Sequence, residues 1–166
     1  MQATALIVSS DAGFAETMKV LLQGWGITVA LSGESTPPPP KTEIVLLDIR
    51  MASNEGVHPL LAIREKMPAA EIILINRPDN IPLSIAGMQA GAADELIAPF
   101  DTSTLKNTIS AALRRWKKQQ GKKSLLQRFG NAMAAATFAQ AGEFDTAIAM
   151  LDGEEEASHP TDRQNP

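Results

Sequence analysis

The sequence predicts an α/β domain built on a five-stranded parallel sheet and followed by a helical extension. Five short apolar runs alternate with stretches in which apolar residues recur at helical spacing. The runs are apolar throughout, as in strands that are buried on both faces, and strands that alternate with helices form parallel sheets through right-handed crossovers. The 166 residues are enough for one such core with about 40 residues to spare.

The amino-terminal half contains three of the strands, at residues 5–8, 27–31 and 44–47. A helix over about residues 11–23 separates the first two, because its apolar residues lie three and four positions apart. Four successive prolines at positions 37–40 exclude a helix between the second and third strands, since proline fixes φ and lacks an N–H donor. An extended linker is therefore predicted there.

The carboxyl-terminal half continues the alternation with strands at residues 71–75 and 94–97. Helices are predicted over residues 59–67, 82–90 and 102–116. A proline opens the first helix, a glycine follows the second, and Thr102 or Ser103 caps the third.

The chain is predicted to have three segments: a core domain (residues 1–120), a helical extension (residues 121–152) and a flexible polar tail (residues 153–166). Alanine-rich helices are expected over residues 124–138 and 143–151, separated at Ala141-Gly142. The basic run at residues 117–123 is interpreted as the exposed end of the preceding helix. The tail is acidic and proline-tipped, which is typical of disordered termini.

Composition narrows the function classes. Nineteen acidic residues against 15 basic ones give a net charge of −4, so a general nucleic-acid binder is not expected. The basic residues that favour such a role are clustered: Arg114, Arg115, Lys117, Lys118, Lys122 and Lys123. The absence of cysteine excludes disulfides and thiolate sites, and His58 and His159 have no ligand-like spacing.

No membrane partner is predicted. The amino terminus has no basic leader, and no segment approaches the roughly 20 apolar residues that span a bilayer. We therefore expect a soluble, cytoplasmic protein.

Asp48 is the candidate functional residue, because it directly follows the most apolar strand. The carboxyl ends of parallel strands form the binding edge of open α/β sheets. The alternative is that Asp48 only caps the following loop. No glycine-rich phosphate loop follows the first strand, where residues 9–13 are SSDAG, so a nucleotide-binding or flavin-binding enzyme is not favoured.

Two stretches, DIRMASNEG at residues 48–56 and QAGAADELIAPF at residues 89–100, together with the five strands, resemble a CheY-like response-regulator receiver domain. The resemblance implies a doubly wound, flavodoxin-like sheet in the order 2-1-3-4-5. It also implies that a histidine kinase transfers a phosphoryl group, with Mg²⁺, to the aspartate that matches Asp48.

The matching site is depleted. The family's acidic pair corresponds to Ser9 and Ser10, its lysine to Ala98, its hydroxyl residue to Asn76 and its switch aromatic to Glu95. Both extra carboxylates and the ammonium group are thus replaced, although the Asn76 amide could donate to a phosphoryl oxygen. The resemblance therefore implies weak or absent phosphorylation.

Three charged residues leave alternatives open. Asp11 either turns inward as a substitute carboxylate or caps the following helix. Arg50 either folds onto Asp48 as a charge-assisted pair or points to solvent, and Arg77 is a second candidate for that pairing. We expect at most weak Mg²⁺ binding, at Asp48 and Asp11, and no other cofactor.

Residues 136–151 resemble the turn of a tetratricopeptide repeat, with Phe138, Gly142, Phe144 and Ala147 at that motif's intervals. A solenoid needs about three repeats, so this hairpin would dock on its own domain, on a second copy or on another protein. The alternative is that the alanines are ordinary helix-packing residues.

The combined interpretation is a receiver-like signalling protein that is not an enzyme and has no DNA-binding or enzymatic output domain. It would act through contacts with a sensor histidine kinase or another signalling protein, and it could form a homodimer through its carboxyl-terminal helices. The alternative is a pseudo-receiver that docks or dimerises independently of phosphorylation.

Overall fold

The computed structural model describes residues 2–32, 41–52 and 58–140. Nine elements follow one another: β1 (Ala3–Val8), α1 (Ala12–Gly24), β2 (Ile27–Leu31), β3 (Ile44–Asp48), α2 (His58–Lys66), β4 (Glu71–Asn76), α3 (Ile81–Gln89), β5 (Asp94–Ile97) and α4 (Thr102–Gln140). The predicted alternation of strands and helices is confirmed.

The five strands form one parallel sheet in the order β2-β1-β3-β4-β5. This is the flavodoxin-like order that the family resemblance implied. Val8 pairs with Leu47, and Asp48 pairs with Ile75. The carboxyl ends of the three central strands therefore meet at one edge of the sheet.

Helices cover both faces of the sheet, and β3 contributes to each of the two cores. Ile44 and Leu46 pack in the core that includes residues of α1 and α4, whereas Val45 and Leu47 pack in the core that includes residues of α2 and α3. All four side chains are buried. A strand with two buried faces has no polar positions to alternate, which explains the continuous apolar run.

Helix α4 differs from the sequence prediction at its start and along its length. The Asp101 carboxylate accepts hydrogen bonds from the Thr104 N–H at 2.6 Å and from the Ser103 hydroxyl at 2.8 Å, so Asp101 is the capping side chain. The helix also continues to Gln140, so residues 124–138 belong to α4 rather than to the separate helix that the sequence predicted. A glycine inside a helix, such as Gly121, costs only about 1 kcal/mol.

Arg115 lies in ion pairs, although the sequence grouped it with a possible nucleic-acid patch. Its Nε donates to Glu71 at 2.9 Å and its Nη2 donates to Asp94 at 3.1 Å. Glu71 and Asp94 begin β4 and β5. This guanidinium therefore anchors α4 to the amino-terminal edge of the sheet.

Several predicted features lie outside the described residues: the proline linker at 33–40, the second extension helix at 143–151 and the tail at 153–166. Residues 32 and 41–43, which are described, contain no helix. The chain divides into two compact units, Met1–Lys117 and Lys118–Pro166. Among the described residues, none of the helices combines the length and the apolar character that crossing a bilayer would require.

Gly87 allows α3 to pack closely on β4. A Cβ atom at this position would collide with the Leu74 side chain, and Leu74 is 1% exposed in the core. We expect Gly87→Ala to lower the free energy of unfolding by about 1–3 kcal/mol relative to Gly24→Ala, because overpacking a core costs this much. Urea unfolding monitored by circular dichroism measures both values.

Gly24→Ala is the matched control, since it also changes a helical glycine and its Cβ would meet no atom within 4 Å. Both substitutions place alanine at a helical position, where alanine is favoured over glycine. Equal stabilities for the two proteins would show that the Gly87 contact imposes no constraint.

Candidate functional site

Asp48 ends β3 at the carboxyl edge of the sheet, and its side chain is only 2% exposed. Its Oδ2 accepts a hydrogen bond from the Ser9 hydroxyl at 2.6 Å. The Arg50 backbone N–H donates to its Oδ1 at 3.1 Å. A buried carboxylate requires such donors, because burial without them is costly.

The Arg50 guanidinium folds back onto Asp48 rather than pointing to solvent. Nε donates to Oδ1 and Nη2 donates to Oδ2, both at 2.9 Å. This paired arrangement is the strongest geometry between an arginine and a carboxylate. The guanidinium carbon also lies 3.9 Å from the centre of the Phe14 ring, within cation–π range.

Asp11 caps α1, and its second oxygen contacts Arg50. Its Oδ1 accepts a hydrogen bond from the Phe14 N–H at 2.9 Å and thereby caps α1. Its Oδ2 lies 3.5 Å from Arg50 Nη2, so the carboxylate also faces the Asp48 site. Its contact there is with the guanidinium.

The ionisation of Asp48 reflects two opposed effects. Burial raises the pKa of Asp48, whereas hydrogen bonds from the Arg50 side chain, Ser9 and the Arg50 backbone lower it, and the resulting pKa lies below the ordinary value of 3.8. The hydrogen bond to Asp48 raises the pKa of Arg50, although burial opposes that shift. The pair is therefore an ionised carboxylate held by a cationic guanidinium at neutral pH.

Asn76 belongs to a second polar cluster, which faces α3 and β5. Its amide nitrogen donates to Glu95 Oε1 and to Ser84 Oγ, each at 3.0 Å, and the Ser84 hydroxyl donates to the same Glu95 oxygen at 2.6 Å. Asn76 is completely buried. The amide nitrogen also donates to the Asn80 carbonyl at 3.2 Å, and Asp48 is not among these acceptors. Glu95 is half-buried among polar partners.

The remaining predicted residues lie around the same edge of the sheet. Ser10 is exposed and lines a pocket of about 220 Å³ together with Ser9 and Asp48. Ala98 lines a different pocket, which Arg50 and Arg77 also line. Arg77 pairs with Asp79, at 3.4 Å, rather than with Asp48.

The side chains around Asp48 fit a divalent cation poorly. Both Asp48 oxygens accept hydrogen bonds from the guanidinium, and both Asp11 oxygens have partners. A metal ion would have to displace Arg50 to gain carboxylate ligands. Within residues 2–32, 41–52 and 58–140, no three histidine, cysteine, aspartate or glutamate side chains are grouped as a metal site.

Sequence reasoning missed two participants, Phe14 and Ser84. Helical spacing places Phe14 only among the apolar residues of α1, but its ring also supports the Arg50 guanidinium. Ser84 lies on α3 and links Asn76 with Glu95. Helical spacing identifies the element of each residue, but it carries no signal about partners on other elements.

Comparison with known proteins places the chain in a family. The sequence model for the response regulator receiver domain matches residues 5–110. The chain is 33% identical over 113 residues to the transcriptional regulatory protein ZraR of Salmonella typhimurium. This alignment covers 65% of this chain and 26% of ZraR. It is 31% identical over 117 residues to ZraR of Klebsiella oxytoca, and this alignment covers 68% of this chain and 26% of that protein. The chain thus spans about a quarter of the length of these curated relatives.

Solved structures share the fold. A response regulator receiver domain protein from Clostridium thermocellum has a TM-score of 0.62 at 22% identity, over 70% of this chain and 98% of that chain. NtrX from Brucella abortus has a TM-score of 0.66 at 21% identity, over 77% of this chain and 31% of that chain.

We expect Arg50→Ala to raise the pKa of Asp48, because burial would then be opposed by fewer hydrogen bonds. Carbon-13 NMR of the Asp48 carboxyl group during a pH titration measures this shift. At pH 7 the free energy of unfolding of the variant should be about 1–3 kcal/mol lower than that of the wild type, since a buried polar group loses its partner. A carboxyl group that titrates at the same pH in both proteins would contradict the assignment.

The stability difference should also depend on pH. The pKa of Asp48 is lower in the folded protein than in the unfolded chain. Its ionised form therefore stabilises the fold at pH values above the pKa that Asp48 has in the unfolded chain. This contribution is lost as the pH falls through the pKa that Asp48 has in the folded protein. The difference in free energy of unfolding between wild type and Arg50→Ala should therefore become smaller in acid. Arg77→Ala is the control because it changes an exposed side chain, and its free energy of unfolding should stay within about 0.5 kcal/mol of the wild-type value.

Proposed function

The chain belongs to the response regulator receiver domain family, and from this premise we propose that it is a two-component signalling protein in which Asp48 holds the phosphoacceptor position but is phosphorylated weakly or not at all. Its signalling role is exercised through protein contacts, with a sensor histidine kinase or another signalling protein as partner. The observation that carries this proposal is the two-point contact between Arg50 and Asp48.

The contact disfavours phosphoryl transfer for two reasons. An Asp48 oxygen would have to attack phosphorus, yet the donors of Arg50 and Ser9 are directed at both oxygens. The charge that accumulates on the phosphoryl oxygens would also need fixed donors or a cation. Arg50 uses Nε and Nη2 on Asp48 itself, and the Asn76 amide is directed at Glu95 and Ser84.

Acetyl phosphate tests this proposal. After incubation of the full chain with acetyl phosphate and Mg²⁺, we expect intact mass spectrometry to find little of the ~80 Da adduct that a phosphoryl group adds. Arg50→Ala should increase the adduct several-fold, because both Asp48 oxygens lose their guanidinium donors.

The double variant Arg50→Ala/Asp48→Asn should remain unmodified, since it lacks the acceptor carboxylate. Ready modification of the wild-type chain that Asp48→Asn abolishes would overturn the proposal. Modification that persists in the double variant would assign the adduct to another residue.

A second candidate function is a phosphorylation-independent module that dimerises through α4. Four large apolar side chains on the described part of this helix are exposed: Leu125, Leu126, Phe129 and Met133. Leu126, Phe129 and Met133 are three and four positions apart and share one helix face. Such a stripe suits a second copy of the same helix, since paired helices bury apolar residues at three- and four-residue spacing.

We expect Leu126→Ser/Phe129→Ser to weaken self-association of the full chain at least tenfold, because burying one such side chain contributes about 1.5–3 kcal/mol. Sedimentation equilibrium measures the association constant. Val20→Ser, which changes an exposed apolar residue of α1, is the control and should leave association unchanged. A wild-type chain that stays monomeric at all concentrations would eliminate this second function.

A further inference from the structure

A pocket of about 510 Å³ opens beside the Asp48 site, on the side of Arg50 and the β5–α4 connection. Its walls include Phe14, Arg50, Met51, Arg77, Pro99 and Phe100. Its volume lies within the range of about 300–1,000 Å³ that is usual for small-molecule sites. No step of the proposed signalling function uses this space.

The charged part of the wall consists of two guanidinium groups. Arg50 donates to Asp48 and Asp11 through Nε and Nη2, and its Nη1 has no hydrogen-bond acceptor among residues 2–32, 41–52 and 58–140. Arg77 pairs only with Asp79 in the same part of the chain, at 3.4 Å, and both side chains are at least half exposed. An exposed pair of this kind contributes at most about 1 kcal/mol, so an incoming anion could readily compete for Arg77.

The rest of the wall is apolar and includes two aromatic rings. Phe14 and Phe100 are partly buried side chains that pack against the core formed with α1 and α4. This packing holds both rings in place, which reduces the entropy lost when a ligand binds. Fixed aromatic rings favour contact with another flat ring.

Ala98 also lines this pocket. Its methyl group is small, so this part of the wall leaves room for a ligand. A larger apolar side chain at this position would occupy the space without altering either guanidinium.

We propose that this pocket binds a small organic anion that carries an aromatic ring. The carboxylate or phosphate of the ligand pairs with Arg77 and with Nη1 of Arg50, since guanidinium groups bind both anions through paired hydrogen bonds. The ring packs against Phe14 and Phe100. This binding leaves the contact between Arg50 and Asp48 in place and does not require phosphorylation of Asp48.

Isothermal titration calorimetry of the full chain tests the proposal with two ring-bearing anions, indole-3-acetate as a carboxylate and adenosine 5′-monophosphate as a phosphate ester. Acetate, inorganic phosphate and adenosine are the matching fragments. We expect at least one ring-bearing anion to bind with a Kd below about 1 mM and at least tenfold more tightly than its fragments. A probe that binds shows that the pocket accepts its anionic group.

Two variants connect the binding to this pocket. Arg77→Gln should weaken ligand binding at least fivefold, because this substitution removes one cation. Ala98→Leu should weaken binding by at least the same factor, because the larger side chain fills the cavity. Arg114→Gln is the charge-matched control, since Arg114 is exposed and does not line this pocket; it should change nothing. Arg77 is exposed, so its variant remains informative if Ala98→Leu does not fold.

Three results would overturn the proposal: neither ring-bearing anion binds, the fragments bind as tightly as the ring-bearing anions, or Arg77→Gln binds like the wild-type chain. The first would leave the pocket without a ligand of this class. The second would reduce the site to a nonspecific contact with charge or ring alone. The third would place the binding elsewhere on the chain.

Discussion

The contact between Arg50 and Asp48 is the interaction on which the carboxyl edge of this sheet depends. A carboxylate that is only 2% exposed is stable as an anion only if donors surround it. Arg50 supplies two side-chain nitrogens, Nε and Nη2, and a backbone N–H, and Ser9 supplies a hydroxyl. Because the same guanidinium contacts Asp11 and Phe14, it joins the end of β3 to the start of α1.

The polar side chains at this edge fall into two separate clusters. One surrounds Asp48, and the other joins Asn76, Ser84 and Glu95 between β4, α3 and β5. Most of the donors in each cluster are directed at acceptors of the same cluster. An incoming phosphoryl group would therefore meet few free donors near Asp48, whereas Arg50 and the exposed Arg77 line the neighbouring pocket.

The doubly wound sheet explains why these clusters are so rigidly placed. The central strands β3 and β4 are buried on both faces, so their ends have little freedom to shift. Parallel register brings the residues after β1, β3 and β4 to one edge. Function at that edge therefore depends on which side chains the loops supply, while the sheet below it is shared with solved structures that are only about 20% identical in sequence.

The sequence by itself determined the five strands, the helices between them and the position of Asp48, since apolar spacing and the alternation of elements are local signals. The family resemblance added the strand order. Tertiary structure alone decided that Arg50 folds onto Asp48, that Phe14 supports it and that the Asn76 amide turns towards Glu95. Ser9 and Asp48 are 39 positions apart in the chain, and Asn76 and Glu95 are 19 apart. The direction of such side chains depends on partners that only the folded sheet brings within hydrogen-bonding distance.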